Sequence, residues 1–367
     1  MKTVATALAA FLLLDAPAWA ADCSLQLLNT APLSVTDNVM TVPVVLNGGE
    51  HRFAFDTAAI ASQITLDSAR SLGLPIEADT GPRRITGTGA AALAASSVGR
   101  VNAGSGIAGA SINPDDAVEI YSKAGVPFER SGLVRDLKFG AMQNANIPLQ
   151  ITDFPPRGTD GLLNGGLFDR YDVDLNFHAA RFNMFSSDHC RGQVLYWRAP
   201  GMAALPMLYR NNRITVHVNV DGRDLTAVID TGAARSEMKM GDATRLFGIG
   251  PDSAGVALKQ PASMNDRDRY SYDFKTLSFG SVAVGNPHLL LTRDILVRGA
   301  NPNVPTGSLV RAKIEGEPSM VIGMDLLKLL HVYIAFGERT LYVTQGLELD
   351  AADKTALPVV PVTPFRP

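Results

Sequence analysis

The sequence predicts a mainly β protein made of two tandem copies of one lobe. Three observations carry this reading. An Asp-Thr-small motif occurs twice, as Asp56-Thr57-Ala58-Ala59 after Phe53-Ala54-Phe55 and as Asp230-Thr231-Gly232-Ala233 after Ala227-Val228-Ile229. With the offset held at 230 − 56 = 174, Thr41 to Leu72 lies over Thr215 to Leu246 without a gap, with identities such as Val42/Val216, Gly48/Gly222, Ser62/Ser236 and Leu72/Leu246. Further on, Gly161 to Phe177 matches Met320 to Phe336 in type at an offset of 159. A repeat on this scale decides the architecture before any single element does.

The elements follow in order. Asn47-Gly48 and Asp221-Gly222 are two-residue hairpin turns between β-rich runs. The strand after each turn ends in an aspartate, and a loop and a short helix follow. Leu66 to Leu74 is the first of these helices, stopped by Gly73 and Pro75. Leu137 to Ile151 reads as two short strands around Gln143-Asn144, and Val256 to Phe274 as a hairpin with a charged tip at Asn265 to Asp268. Each later block reads as an apolar strand, a turn at Asn164-Gly165 or Gly323, a short helix and a final strand pair. The expected division is a leader over 1–20, lobes over 21–195 and 209–350, a connector over 196–208 and a Pro-rich tail over 351–367.

Length, charge and cysteines bound the function. A chain of 367 residues suits two lobes, and a net charge of −3 gives no electrostatic reason to expect nucleic acid or an anionic membrane. Lys2, the apolar run Val4 to Leu14 and Ala18-Trp19-Ala20 form a targeting segment with a small-x-small cleavage site. The run is too short to span a bilayer, so the expectation is an exported chain, periplasmic or secreted, with no stable membrane anchor. In that compartment Cys23 and Cys190, one at each end of the first lobe, are expected to be bridged. No His/Cys cluster suggests a metal and no cofactor is expected. Gly104-Ser105-Gly106-Ile107-Ala108-Gly109 lacks the strand-and-helix setting of a nucleotide site, because Asn113-Pro114 breaks the helix early.

The chemistry lies in the two acids. A buried carboxylate is costly unless something nearby uses it. Two in matched settings are expected to meet, and like charges at hydrogen-bonding distance cannot both ionise, so their titrations split. Such a pair can hydrolyse an amide without metal: the ionised partner takes a proton from a water held between them, and the protonated partner hydrogen-bonds the scissile carbonyl. This predicts activity on the acid side of neutral. Thr57 and Thr231 are placed to reach across to the opposite lobe's backbone and lock the two loops. Gly232 keeps its turn open, and Gly323 lets a strand cross behind Asp230 without a side chain in the way.

Apolar-apolar-Asp-Thr-Gly-Ala, a helix ending Leu-Gly-Leu, then apolar-apolar-Gly and a short helix resembles the retropepsin-like and pepsin-like aspartic peptidases. Ser71-Leu72-Gly73-Leu74 and Asp160-Gly161-Leu162-Leu163 resemble the exported bacterial members, the aspartyl protease family proteins. The resemblance covers both repeats. It implies a two-lobed acid-protease fold, built from two tandem retropepsin-like repeats facing across a cleft, and an aspartic-type endopeptidase that is a monomer with an internal pseudo-twofold and takes a polypeptide across that cleft. It further implies Asp56 and Asp230 as the catalytic pair, Thr57 and Thr231 as locking hydroxyls, and flaps near Thr86 to Gly89 and Ser263 to Tyr272. The first copy departs from the pattern: Ala58 stands where glycine is usual, and Asn164 stands where the second copy has Gly323. The rival reading is a catalytically silent module of the same fold that binds peptides or proteins, with Asp56 and Asp230 as turn caps.

Overall fold

The computed structural model describes residues 24–59, 61–78, 130–152, 158–197, 199–210, 212–260, 269–292 and 318–346. The leader, Cys23 and hence its expected bridge to Cys190, the hairpin at Thr86 to Gly89, the tip at Asn265 to Asp268 and the tail lie outside these residues. Among the described residues the chain is mainly β, with sheets of six, ten and eight strands. No helix among the described residues is long and apolar enough to cross a membrane.

In the first half, six strands close on themselves. Val39–Leu46 pairs with Gly49–Asp56, which runs parallel to Gly161–Asn164. Gly161–Asn164 pairs with Gln63–Thr65, which runs parallel to Met142–Thr152. Met142–Thr152 pairs with Arg130–Phe139, and that strand returns to Val39–Leu46 through Val45 opposite Lys138 and Leu46 opposite Leu137. Strand alternation sends Met40, Val42, Val44 and Leu46 inward. There Phe55, Phe139, Phe168 and Phe182 meet at centroid distances of 5.0 to 5.5 Å, most of them edge to face.

The second half repeats these pairings. Arg213–Val220 pairs with Arg223–Ile229, which runs parallel to Met320–Ile322. Met320–Ile322 pairs with Glu237–Lys239, which runs parallel to His288–Thr292. His288–Thr292 pairs with Arg269–Asp273, and Thr276–Phe279 returns to Arg213–Val220. The expected hairpin turns hold both central residues at positive φ, 49° and 89° at Asn47-Gly48 and 45° and 83° at Asp221-Gly222. That is the twist-matched geometry Asn-Gly and Asp-Gly favour.

Two expectations are corrected. The turn assigned to Gln143-Asn144 lies at Gly140-Ala141, because Gly140 supplies the positive φ of 57° and Asn29 pins the corner. The Asn29 side chain accepts from Ala141 N–H and donates to Phe139 O, both at 2.7 Å. The connector is also not plain linker: Ala203–Pro206 forms a strand on Thr340–Gln345.

That strand is one edge of the six-stranded sheet, to which both halves contribute. Its order is Leu27–Pro32, Arg181–Ser186, Tyr171–Asn176, Leu330–Ala335, Thr340–Gln345 and Ala203–Pro206. At its centre Tyr171–Asn176 runs antiparallel to Leu330–Ala335, with Asp174 opposite Tyr333, residues equivalent under the offset of 333 − 174 = 159. Acids of the first half meet His331 and Tyr333 of the second here, beside partners nearer in the chain. Asp174 accepts from Tyr196 OH at 2.5 Å and Asn183 Nδ2 at 2.9 Å and lies 2.5 Å from His331 Nε2. Asp172 accepts from Tyr333 OH at 3.1 Å and lies 2.5 Å from His189 Nε2. Trp197 covers the cluster, stacked on the His331 ring at 3.9 Å. Burial pushes the Asp172 carboxyl above the usual carboxylate range against the pull of His189. Burial works against a charge on His189, but its hydrogen bonds to Asp172 and the Cys190 carbonyl and the charges of Asp172 and Glu338 outweigh it, so its pKa rises. Both shifts point to a proton shared between the two groups.

Candidate active site

Asp56 ends the strand Gly49–Asp56, and Asp230 follows the strand Arg223–Ile229. Each is buried, with 1% and 6% of its surface exposed, so each needs polar partners. Asp56 Oδ1 accepts the N–H groups of Ala58 and Ala59, both at 2.8 Å. Asp230 Oδ1 accepts those of Gly232 at 2.8 Å and Ala233 at 3.1 Å. One oxygen of each carboxylate therefore caps its own turn.

The two turns are bound to each other. Thr57 Oγ1 donates to Ile229 O at 2.7 Å and accepts from Thr231 N–H at 3.2 Å. Thr231 Oγ1 donates to Phe55 O at 2.7 Å and accepts from Thr57 N–H at 3.1 Å. Both threonines are buried, and the four bonds form the reciprocal lock that their positions suggested. Thr231→Val keeps the shape and leaves Thr57 N–H and Phe55 O without this partner. The expected cost is about 1–3 kcal/mol for each orphaned buried group, read as a lowered urea midpoint. An unchanged midpoint would show that the lock contributes nothing.

The carboxylates converge on Gly232. Its N–H binds Asp230, and a Cβ at this position would stand 2.1 Å from Asp56 Oδ2. Glycine is required here by the opposite half's aspartate. Gly232→Ala is expected to push the Asp56 carboxylate aside, to cost about 1–3 kcal/mol of stability as overpacking and to impair whatever the pair does. Wild-type behaviour in both respects would place Asp56 elsewhere. Ala58, the equivalent residue in the first half, is buried and donates its N–H to Asp56 as Gly232 does to Asp230, but it carries a Cβ, so the pair is asymmetric.

Asn164 and Gly323 hold equivalent places, and neither is left-handed. Asn164 has φ −76° and ψ 137°, and Gly323 has φ −98° and ψ −176°. Tolerance of Asn therefore does not rest on a left-handed backbone. Space is the constraint at Gly323, where a Cβ would stand 2.6 Å from Arg235 O and 2.7 Å from Ala233 O. In the second half the Ala233 carbonyl accepts the Met324 N–H at 2.8 Å. In the first, the Asn164 side-chain amide donates to the equivalent Ala59 carbonyl, and its Oδ1 accepts Gly166 N–H at 2.6 Å. The backbone N–H of both residues donates to an equivalent serine, Ser62 at 3.0 Å and Ser236 at 2.9 Å. The asparagine thus replaces a close backbone contact with a side-chain bridge, and the first loop is as fully bonded as the second.

Arg213 joins the site, a residue that sequence reasoning missed. It opens the strand Arg213–Val220, in which Ile214 is opposite Ile229. Burial lowers its pKa from the ordinary arginine value, while the charges of Asp230 and Asp56 act in the opposite sense. Nothing in the sequence marked it, since a charged residue at a strand start is ordinary. Of the second flap, the strands Ala257–Gln260 and Arg269–Asp273 pair as the expected hairpin. Among the described residues no group of acidic, His or Cys side chains could hold a metal. A scan of the chain against protein-family models finds no match, and a search of curated proteins finds none either.

Proposed function

We propose that the chain is an aspartic-type endopeptidase with a two-lobed acid-protease fold, in which Asp56 and Asp230 activate a water against a peptide bond. The observation that supports this most is the convergence of two buried carboxylates on Gly232, inside a reciprocal threonine lock between matched halves. The turn caps use Oδ1 of each acid. The Oδ2 of Asp56 is directed at the opposite turn, as a shared-proton pair requires. One carboxylate would take the proton of the water and the other would hydrogen-bond the scissile carbonyl. The paired halves and hairpins suit an extended polypeptide. Export to the periplasm or exterior, with a Cys23–Cys190 bridge, belongs to the same proposal.

Ala58 and the strong turn-capping role of both carboxylates favour a second reading, a peptide- or protein-binding module that does not hydrolyse. Incubating the mature chain with a mixed peptide library at acidic to neutral pH separates the two. Cleavage that disappears in Asp56→Asn and Asp230→Asn supports the peptidase. Binding without cleavage supports the module.

A further inference from the structure

We propose that Arg213 is a positioning residue for the Asp56–Asp230 pair: its guanidinium stabilises ionised carboxylate there and moves the range in which the pair holds one proton toward acid. The inference rests on reading these aspartates as a working pair.

The register carries it. Ile214 is opposite Ile229, so Arg213 stands level with Asp230, one residue beyond the paired strand. Its neighbour Asn212 leans on the first half, since a Cβ at Gly166 would stand 2.8 Å from Asn212 Oδ1. The strand therefore starts where both turns meet. The charge of Asp230, and after it that of Asp56, acts on this half-buried side chain, so it senses both halves of the pair. The surrounding elements carry other charged residues: Arg210, opposite Arg213 on its partner strand, Arg235 in the loop after Asp230, and Asp325 on the short helix. Asp325 is engaged by Ser236 OH at 2.6 Å, and none of the three is among the charges acting on Arg213.

The influence is one-sided. Under the offset of 213 − 39 = 174, the first half has Val39 where the second has Arg213. A cation partly withdrawn from water interacts more strongly with a carboxylate than one in solvent and favours its charged form. The pair should therefore give up its last proton at lower pH than it would beside valine on both sides. Activity that depends on that proton should fade at correspondingly lower pH.

The test follows the side-chain carboxyl 13C signals of Asp56 and Asp230 through a pH titration, assigned with the two Asn variants. The full mature chain is compared with Arg213→Gln and Arg213→Lys. The expected result is a rise in the pair's upper midpoint by about one pH unit in Arg213→Gln, with Arg213→Lys close to wild type. Arg213→Met, which keeps the apolar stem, replaces the Gln variant should that one fail to fold. Unchanged midpoints, or equal shifts in the Lys and Gln variants, overturn the inference. A cleavage profile is recorded in parallel, and its basic limb should move up with the midpoint. If the midpoints shift but no peptide is cut, the peptidase reading fails and the inference stands. If peptides are cut but neither midpoint nor limb moves, the inference alone fails.

Discussion

Asp56→Asn and Asp230→Asn should each abolish peptide cleavage while the chain stays folded. An asparagine oxygen still accepts the turn N–H groups, Ala58 and Ala59 in one half and Gly232 and Ala233 in the other. The threonine lock uses hydroxyls and backbone only, so it survives both changes. What disappears is a group that can gain and lose a proton. General acid–base catalysis contributes roughly 10²–10⁴-fold in rate, and each variant removes one of its two agents, so activity should fall at least that far. The check is initial rate on a fluorogenic library peptide, beside a thermal melt showing that each variant folds. Substantial activity in either variant would end the paired-acid mechanism.

Asp174→Ala should be the most damaging substitution away from the candidate site. The carboxylate is wholly buried and joins three groups, His331, Tyr196 and Asn183. Removing one member of a buried ionic cluster costs about 3–5 kcal/mol, because the remaining polar groups stay dehydrated without a partner. Since His331 belongs to the second half and Asp174 to the first, the loss falls on the sheet that joins them. Equilibrium urea unfolding measures it. Asp174→Asn, which keeps an acceptor for Tyr196, should lose less. A loss under about 1 kcal/mol, the range of exposed ion pairs, would show that water reaches the cluster.

Much of the fold was legible because local chemistry and global pairing agree. Asn47-Gly48 and Asp221-Gly222 can hardly be anything but hairpin turns, and the apolar strands after them must end where the aspartates stand. Gly232 and Gly323 were recognisable as positions where a side chain is unwelcome, though at Gly323 the cause is crowding by two carbonyls and not a special backbone. The six-stranded sheet was not legible. Its central strand Tyr171–Asn176 alternates Asp172 and Asp174 with apolar residues, a pattern that normally means one face in water. Both acids are buried because His331 and Tyr333 arrive from more than 150 residues away to join the nearer His189 and Tyr196, and no local pattern announces that. The connector strand Ala203–Pro206 was hidden for a related reason, since flanking prolines favour reading it as loop. Asn164 looked like a weakened glycine, and only the placed side chain shows it bridging two backbone groups.

The register at the centre of that sheet also decides which halves can associate. Asp174 and Tyr333 are equivalent residues lying opposite each other, so a self-paired first half would bring Asp174 against Asp174, buried, with His331 and Tyr333 gone. A self-paired second half would bring Tyr333 against Tyr333 with no carboxylate to receive either hydroxyl. The repeats have become complementary parts, the first supplying the buried carboxylates and the second the His331 and Tyr333 that face them. Produced as separate fragments, they would recognise one another and reject copies of themselves, and that preference is written in four side chains: Asp172, Asp174, His331 and Tyr333.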